Sequence, residues 1–286
     1  MPENRVEAGA PRDASVGPHA IVADRLWVRM SGEVIILSAS FTIDVGRITY
    51  VAGPSGIGKS TLINVASGLV RPWKGQMRVL GVDPFDCSRE RLRSLRLRMG
   101  VMYQSGALFQ SLTLLENVMF PLIARKECSR EKARERAIEA LQLVHLEAWK
   151  DHSPGQVSGG QRKRAGLARA MVSRPDLLLC DEPCSGLDPA LAAEIDEMIA
   201  SLNYDEQEKK YRTIVVVSHD RDSILNYAKN VVFLGKHPGP APTFFVDYGT
   251  KKKIQDSRNP VIRSFFDREP LAAAPMVPVP PREMRP

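Results

Sequence analysis

One glycine-rich stretch limits the folds open to this 286-residue chain more than any other feature. Residues 53–60 read GPSGIGKS, between the apolar stretch Ile48–Ala52 and a helical pattern that begins at Thr61. In this order of strand, loop and helix, glycines let backbone N–H groups converge on an anion, and the helix dipole adds positive potential. A glycine-rich turn with a solvated lysine is the alternative, and it leaves the flanking pattern unexplained. The stretch therefore predicts a phosphate-binding loop.

The loop predicts ATP and Mg²⁺ as ligands. Lys59 is expected to reach the β- and γ-phosphates, and the Ser60 hydroxyl is expected to ligate Mg²⁺. The nine residues expected to contact ATP are Gly53, Pro54, Ser55, Gly56, Ile57, Gly58, Lys59, Ser60 and Thr61.

A second motif is an acidic pair at the end of an apolar run. Residues 177–180 have the length of a buried strand, and Asp181 and Glu182 follow directly. Asp181 suits a carboxylate associated with Mg²⁺, and Glu182 suits the base that polarises the attacking water. Taken alone, the pair is equally consistent with a solvated acidic turn.

A third motif, SGGQ at residues 158–161, precedes a helix predicted over residues 162–172. A serine followed by two glycines at a helix start is a second anion site. It has no lysine or acidic pair of its own, which suggests that it completes the site of another subunit. The three motifs in this order resemble the ATP-binding cassette (ABC) ATPases. In that family the signature sequence, here Ser158, Gly159, Gly160 and Gln161, pairs with the nucleotide loop of the opposite subunit.

Three later positions extend the resemblance, and each has a simpler alternative. Gln104 in MYQSG is on its own a polar loop residue, and His219 in SHD is on its own a surface or capping histidine. Asp188 in SGLD is followed by Pro189, which is typical of a helix N-cap, and capping is compatible with function. The ordered set as a whole favours the functional interpretation.

The resemblance implies roles for these residues. Glu182, His219 and Gln104 form the catalytic set: His219 contacts the γ-phosphate, and Gln104 senses that phosphate and Mg²⁺. Gln104, Ser60 and Asp181 are the implied Mg²⁺ ligands. Asp188 lies at the subunit interface. The family also expects an aromatic side chain on adenine, and the nearest candidate is Trp27.

The expected fold class is α/β, a P-loop NTPase of ABC ATPase type. It has a mostly parallel sheet core, an antiparallel β subdomain and an inserted helical subdomain. Segments 34–37 and 41–45 are short strand candidates, and the single phosphate loop excludes a tandem cassette. The predicted parts are a flexible segment (1–19), the ATPase domain (20–249, helical at about 88–157), an extension (250–269) and a Pro-rich disordered tail (270–286). The extension is expected to reach across a dimer through Phe265 and Phe266, for which local core packing is the alternative.

Composition indicates a subunit whose membrane-spanning partner is a separate protein. No apolar run approaches the ~20 residues that span a bilayer, and the first 20 residues are not a secretory signal. Four cysteines without metal spacing indicate reduced thiols in the cytoplasm. The net charge of +7 favours an anionic membrane face over nucleic acid, because no aromatic side chains accompany the predicted arginine helix. Its arginines are Arg89, Arg91, Arg93, Arg96 and Arg98.

Two further segments narrow the cargo by resemblance. Residues 104–122 and 259–267 are similar to the ATPases of MCE-associated lipid transporters, the Mla group. This implies a homodimer beneath an MlaE-like permease at the cytoplasmic face of the inner membrane. It also implies an MCE-domain protein above, a small regulatory subunit as a further candidate, phospholipid as cargo and no nucleic acid. Two alternatives stay open: the ATPase of a lipoprotein-release or solute transporter, and a non-transport cassette that acts on nucleic acid.

Overall fold

The computed structural model describes residues 17–206, 208–237 and 243–267. The strands are β1 His19–Met30, β2 Glu33–Asp44, β3 Ile48–Ala52, β4 Lys74–Val79, β5 Met99–Met102, β6 Leu177–Asp181, β7 Tyr204–Asp205, β8 Lys210–Tyr211, β9 Thr213–Val217, β10 Asn230–His237 and β11 Thr243–Thr250. The helices are α1 Lys59–Ala66, α2 Arg89–Leu97, α3 Leu114–Ala124, α4 Arg130–Leu143, α5 Gly159–Met171, α6 Pro189–Ser201, α7 Arg221–Tyr227, α8 Lys251–Gln255 and α9 Pro260–Asp267.

The central sheet has the strand order β11-β10-β3-β9-β6-β5. Its pairs are parallel except for the hairpin of β10 and β11. Strands β3, β6 and β9 are buried at every position, as their continuous apolar runs predict for a sheet covered on both faces. Val217 pairs with Val51 on one side and with Asp181 on the other. The carboxyl ends of these strands therefore meet at one edge, which carries the glycine-rich loop, the acidic pair and the segment of His219.

A second, antiparallel sheet has the order β2-β1-β4. It shares a hydrophobic core with α1 and one face of the central sheet. The strand candidates at 34–37 and 41–45 are one continuous strand, β2, which passes through Ser38 at a φ of 54°. The prediction of two short strands was wrong because the polar residues between them do not end the pairing with β1.

Helices α3, α4 and α5 pack together beside the sheet, and α4 buries an apolar stripe that includes Ala133, Ala137 and Leu141. The predicted helical range of about 88–157 contains β5, which is the edge strand of the central sheet. The inserted helices are therefore confined to α3, α4 and two short 3-10 turns, Glu147–Trp149 and Pro154–Gln156. A four-residue strand is too short for its periodicity to be recognised.

The extension after β11 packs on its own chain. The ring centroids of Phe265 and Phe266 lie 5.3 and 6.4 Å from that of Phe233 in β10. These two side chains are thus local core, and a contact of the extension across a dimer stays a prediction. The predicted tail at 270–286 and most of the N-terminal segment lie outside the described residues. Across the described ranges, no helix has the length and apolarity needed to traverse a bilayer.

Buried Arg212 connects the end of α6 with the segment that precedes β6. Its guanidinium donates to the carbonyls of Pro175 and Leu202 and, at 2.6 Å, to Asp205 Oδ2. We expect Arg212→Leu to lower the free energy of unfolding by about 3–5 kcal/mol, because the substitution breaks a buried ion pair and removes the hydrogen bonds to two carbonyl groups. Urea denaturation followed by circular dichroism measures the change. The matched control, Arg263→Leu, removes an exposed pair with Asp267 and should cost less than about 1 kcal/mol. Equal losses in the two variants would contradict the prediction.

Candidate functional site

The glycine-rich loop has the backbone shape that phosphate binding needs. Gly53, Gly56 and Gly58 have φ values of 139°, 76° and 105°, where residues with a Cβ are strained. A Cβ at Gly53 would also lie 2.2 Å from the carbonyl oxygen of Leu234. The Lys59 Nζ donates to the carbonyls of Gly53 and Pro54, both at 3.0 Å. The ammonium group is therefore held inside the loop, over the start of α1.

Lys59 also faces the acidic pair across the sheet edge. Its Nζ lies 4.0 Å from Glu182 Oε1, and the side chain is 4% exposed. Burial lowers the Lys59 pKa, and the nearby carboxylates of Glu182 and Asp181 partly counter that shift. The structure thus brings together the lysine and both acids, which are three of the predicted site residues.

The two residues predicted to hold Mg²⁺ beside the loop are in contact. Ser60 Oγ donates to Asp181 Oδ1 at 2.7 Å, and burial raises the Asp181 pKa. Mg²⁺ is usually held by one or two protein oxygens together with phosphates and water, so this pair fits the ion. Among the described residues there is no cluster of three or more histidine, cysteine or acidic side chains, and such an ion does not require one.

Glu182 and His219 form the pair predicted for water activation. His219 Nδ1 lies 3.1 Å from Glu182 Oε1. Glu182 has a φ of 43°, in the left-handed region where a non-glycine residue is strained. The Glu182 carbonyl accepts from Lys163 Nζ at 3.1 Å. The geometry suits a carboxylate that accepts a proton from water next to a γ-phosphate.

The sequence did not single out Lys163. It lies on α5, two residues after the SGGQ motif, and is 8% exposed. Burial lowers its pKa, while Glu182 and Asp181 oppose that change. A basic residue in a helix that begins with glycines carries little signal in the sequence, because only the fold brings it beneath Glu182.

Gln104 reaches the turn that follows the acidic pair. Its Nε2 donates to Ser185 Oγ at 3.1 Å, and the side chain is exposed. Because β5 ends at Met102, the loop that contains Gln104 starts at the same sheet edge as the other motifs. This contact connects the segment before α3 with the catalytic edge.

The segment 158–161 caps α5 and packs against α6. Ser158 Oγ accepts from Gln161 N at 3.1 Å, and Gln161 Oε1 accepts from Ser158 N at 2.8 Å. A Cβ at Gly160 would lie 2.3 Å from Leu191 Cδ2. Asp188 caps α6 by accepting from Leu191 N at 3.1 Å. The exposed residues Ser158 and Asp188 thus begin two helices whose first turns are in contact at Gly160 and Leu191.

The structure does not favour Trp27 as the adenine contact. Trp27 packs edge-on against Trp73 with a centroid distance of 6.2 Å, and Lys74 lies over both rings. Met30, at the end of β1, has its sulfur 3.9 Å from Thr61 Oγ1 in the phosphate-loop helix. Met30 therefore lies at the edge of the nucleotide site, a position that the sequence analysis did not identify.

Residues 36–185 match the profile of the ABC transporter family, which covers the phosphate loop, the signature segment and the acidic pair. The chain belongs to this family.

Its structure superimposes with a TM-score of 0.66 on a dimeric ATP-binding cassette in a post-hydrolysis state bound to ADP and Pi. That chain is 31% identical, and the match covers 74% of this chain and 93% of the other. A second cassette, cbiO1 from Clostridium perfringens, gives a TM-score of 0.70 at 25% identity and covers 87% of this chain and 95% of its own. The chain is an ATPase with the ABC cassette fold, as predicted.

Three curated relatives have similar identities but different lengths. The probable ribonucleotide transport ATP-binding protein mkl of Mycobacterium leprae is 37% identical over 79% of this chain and 63% of its own. The glycine betaine/proline betaine transport protein ProV of Escherichia coli is 35% identical over 81% and 56%. The intermembrane phospholipid transport protein MlaF of E. coli is 34% identical over 80% and 81%. This chain spans less than two thirds of the length of the mkl and ProV relatives.

Glu182→Gln tests the assignment of the general base. We expect kcat for ATP hydrolysis to fall by at least about 100-fold, because the amide cannot accept a proton from water. The Kd for ATP should stay within about twofold, because Lys59 and the loop are unchanged. Steady-state ATPase assays and titration with a fluorescent ATP analogue measure the two quantities. Glu197→Gln, the same change at an exposed position of α6, is the control. Normal turnover in Glu182→Gln would refute the role.

Met30→Ala and Trp27→Ala separate the two candidates for the base contact. We expect Met30→Ala to weaken ATP binding about fivefold, which corresponds to the roughly 1 kcal/mol of a thioether contact. Trp27→Ala should leave the Kd unchanged, because this ring packs on Trp73 and Lys74. Isothermal titration calorimetry at one salt concentration measures both. A larger loss in Trp27→Ala than in Met30→Ala would restore the original prediction.

Proposed function

We propose that this chain is the ATP-hydrolysing subunit of an ABC transporter that moves phospholipid between the inner membrane and an MCE-protein path to the outer membrane. The observation that carries the proposal is the match to MlaF, which covers about four fifths of both chains. The matches to mkl and ProV are slightly more identical but leave much of those proteins uncovered. The segments at 104–122 and 259–267 support the same group.

The proposed catalytic unit is a homodimer with an ATP molecule held at each of two shared sites. The loop at Lys59 in one copy and Ser158 of the other copy would hold one nucleotide between them. The exposure of Ser158, Gly159 and Asp188 supports this arrangement, and so does the similarity to a cassette solved as a dimer. Closure on ATP and reopening after hydrolysis would then drive the transporter.

Within each site, the residues of this chain divide the work. Lys59 and the backbone N–H groups of the loop orient the phosphates. Ser60 and Asp181 would hold Mg²⁺, which when bound would neutralise developing charge. Glu182 accepts the proton of the attacking water. His219 fixes the orientation of Glu182 and reaches toward the γ-phosphate. Gln104 transmits the state of this edge to α3 through the loop before it.

A basic groove beside Gln104 is suited to the permease. It has a volume of about 540 Å³ and lies between α2, the end of α3 and α5. Among the described residues, no acidic side chain lines the groove, and five arginines do: Arg89, Arg93, Arg96, Arg125 and Arg169. Exposed Leu69 lines the groove, exposed Phe120 and Ile123 lie on α3, and the ring of exposed Phe109 lies 4.7 Å from that of Phe120. We propose that a cytoplasmic helix of the permease with acidic residues docks here, since complementary charge favours the correct partner.

Affinity purification from detergent-solubilised membranes of the native cell tests the partner and the cargo class. Mass spectrometry should identify a permease and an MCE-domain protein with this chain. A different permease would overturn the phospholipid proposal and leave the transport ATPase in place. Nucleic-acid factors without a membrane protein would overturn both.

Charge reversal tests the groove in the same experiment. We expect Arg89→Glu/Arg93→Glu/Arg96→Glu to reduce recovery of the permease at least about tenfold, because like charges repel at a docking site. The control is Arg130→Glu/Arg134→Glu/Lys252→Glu, which changes the net charge equally at exposed positions outside the groove. Equal recovery of the permease with both triple variants would contradict the docking site.

A further inference from the structure

A buried carboxyl group lies beneath the catalytic edge, and the reaction chemistry described above makes no use of it. Asp196 lies on α6 and is 3% exposed. Its Oδ2 accepts a hydrogen bond from Ser223 Oγ. Its Oδ1 lies 3.3 Å from the Cys184 thiol and 3.5 Å from the Tyr50 hydroxyl. Three donors from three other elements thus converge on one carboxyl group.

Each partner of Asp196 leads directly to a catalytic segment. Tyr50 is on β3, which runs into the phosphate loop. Cys184 comes two residues after Glu182, and Ser223 is on α7, four residues after His219. Asp196 itself is on the helix that Asp188 caps. One side chain therefore joins the four elements that carry the phosphate loop, the general base, the histidine and the interface aspartate.

Stability alone gives little reason for an acid at this position. Burial raises the pKa of Asp196, and the neighbouring Asp220 carboxylate raises it further. Among the described residues, Asp196 forms no ion pair with a lysine or arginine. A buried ionisable group without a counter-charge costs free energy, and well-packed apolar residues often serve a core better. The three hydrogen bonds offset this cost only while all three partners stay in place.

The two catalytic side chains that need alignment are held from both sides of this network. Glu182 has a left-handed backbone, which persists only where its surroundings fix it, and Cys184 lies in the turn that follows. On the other side, Asp220 Oδ1 accepts from Ser223 N at 2.9 Å, so the start of α7 and the preceding His219 are connected to Ser223. Asp196 thereby connects both segments that set the 3.1 Å contact between Glu182 and His219.

We propose that Asp196 is a positioning residue for ATP hydrolysis: its carboxyl group fixes the Cys184 turn and α7 relative to each other and so aligns Glu182 with His219. This inference rests on the assignment of Glu182 and His219 as the hydrolysis pair. It is independent of the transported cargo.

Asp196→Asn keeps the shape of the side chain and replaces one accepting oxygen by a donating amide. We expect kcat to fall about tenfold to 100-fold, as for other small displacements of catalytic groups, while KM for ATP stays within about twofold. The assay uses the full chain in its purified membrane complex, well below the melting temperature of the variant. Arg212→Leu is the control for lost stability, because it lowers Tm and should leave kcat unchanged at that temperature. An unchanged kcat in Asp196→Asn, or a loss that falls on KM instead, would overturn the proposal.

A second pair of variants acts on the same network from the other end. Cys184→Ala removes a donor to Asp196, and Cys184→Ser keeps one in nearly the same volume. We expect the alanine variant to lower kcat about tenfold and the serine variant to retain most of it. Equal kcat values in the two variants would overturn the proposal, and this comparison carries the test if Asp196→Asn does not fold.

The double variant Glu182→Gln/Asp196→Asn distinguishes a failure of this inference from a failure of the general-base assignment. If Asp196 acts through Glu182, its substitution should not lower the residual single-turnover rate of Glu182→Gln any further. A further tenfold loss would show that Asp196 acts elsewhere. Normal turnover in Glu182→Gln alone would instead remove the hydrolysis pair on which the inference rests.

Discussion

The catalytic edge depends on the register of three parallel strands. β3, β6 and β9 are buried along their whole length, so neither of their faces can shift toward solvent without exposing apolar side chains. Val217 pairs with Val51 on one side and with Asp181 on the other, so the three strands end at the same edge of the sheet. The phosphate loop, the acidic pair and the segment of His219 are consequently neighbours although they are far apart in sequence. The 4.0 Å approach of Lys59 to Glu182 is the direct result.

Around that edge, fixed and exposed groups are separated. Three contacts fix Glu182. Its backbone N–H donates a hydrogen bond to the Val217 carbonyl, its own carbonyl accepts one from Lys163, and its carboxylate contacts His219. The strain of a left-handed backbone, of order 1–3 kcal/mol, is thus sustained by several contacts at once. The side chains of Ser158 and Asp188, by contrast, cap their own helices and face outward. A rigid half-site and an exposed half-site suit the proposed assembly of two copies.

The sequence predicted the parts of the site whose chemistry is local. Glycines at positive φ, acids at the end of an apolar strand and caps such as Ser158 and Asp188 are recognisable from adjacent residues alone. Lys163, Asp196 and Met30 were missed because each acquires its neighbours only through tertiary packing. The same reason explains the errors in the fold. β5 is identified by its pairing with β6, and β2 continues through polar residues because β1 pairs along its length.

The first turns of helix α5 connect the exposed signature segment with the general base. The helix presents Ser158 at its exposed start, and Lys163, one turn further along, donates to the carbonyl of Glu182. In an assembly of two copies, the helix that senses the nucleotide of one site would support the base of the other. If nucleotide binding at one site changed the binding free energy at the other through α5, the reverse effect would have the same size, since such coupling is reciprocal. In such an assembly, Lys163 would be the contact through which the two sites are coupled.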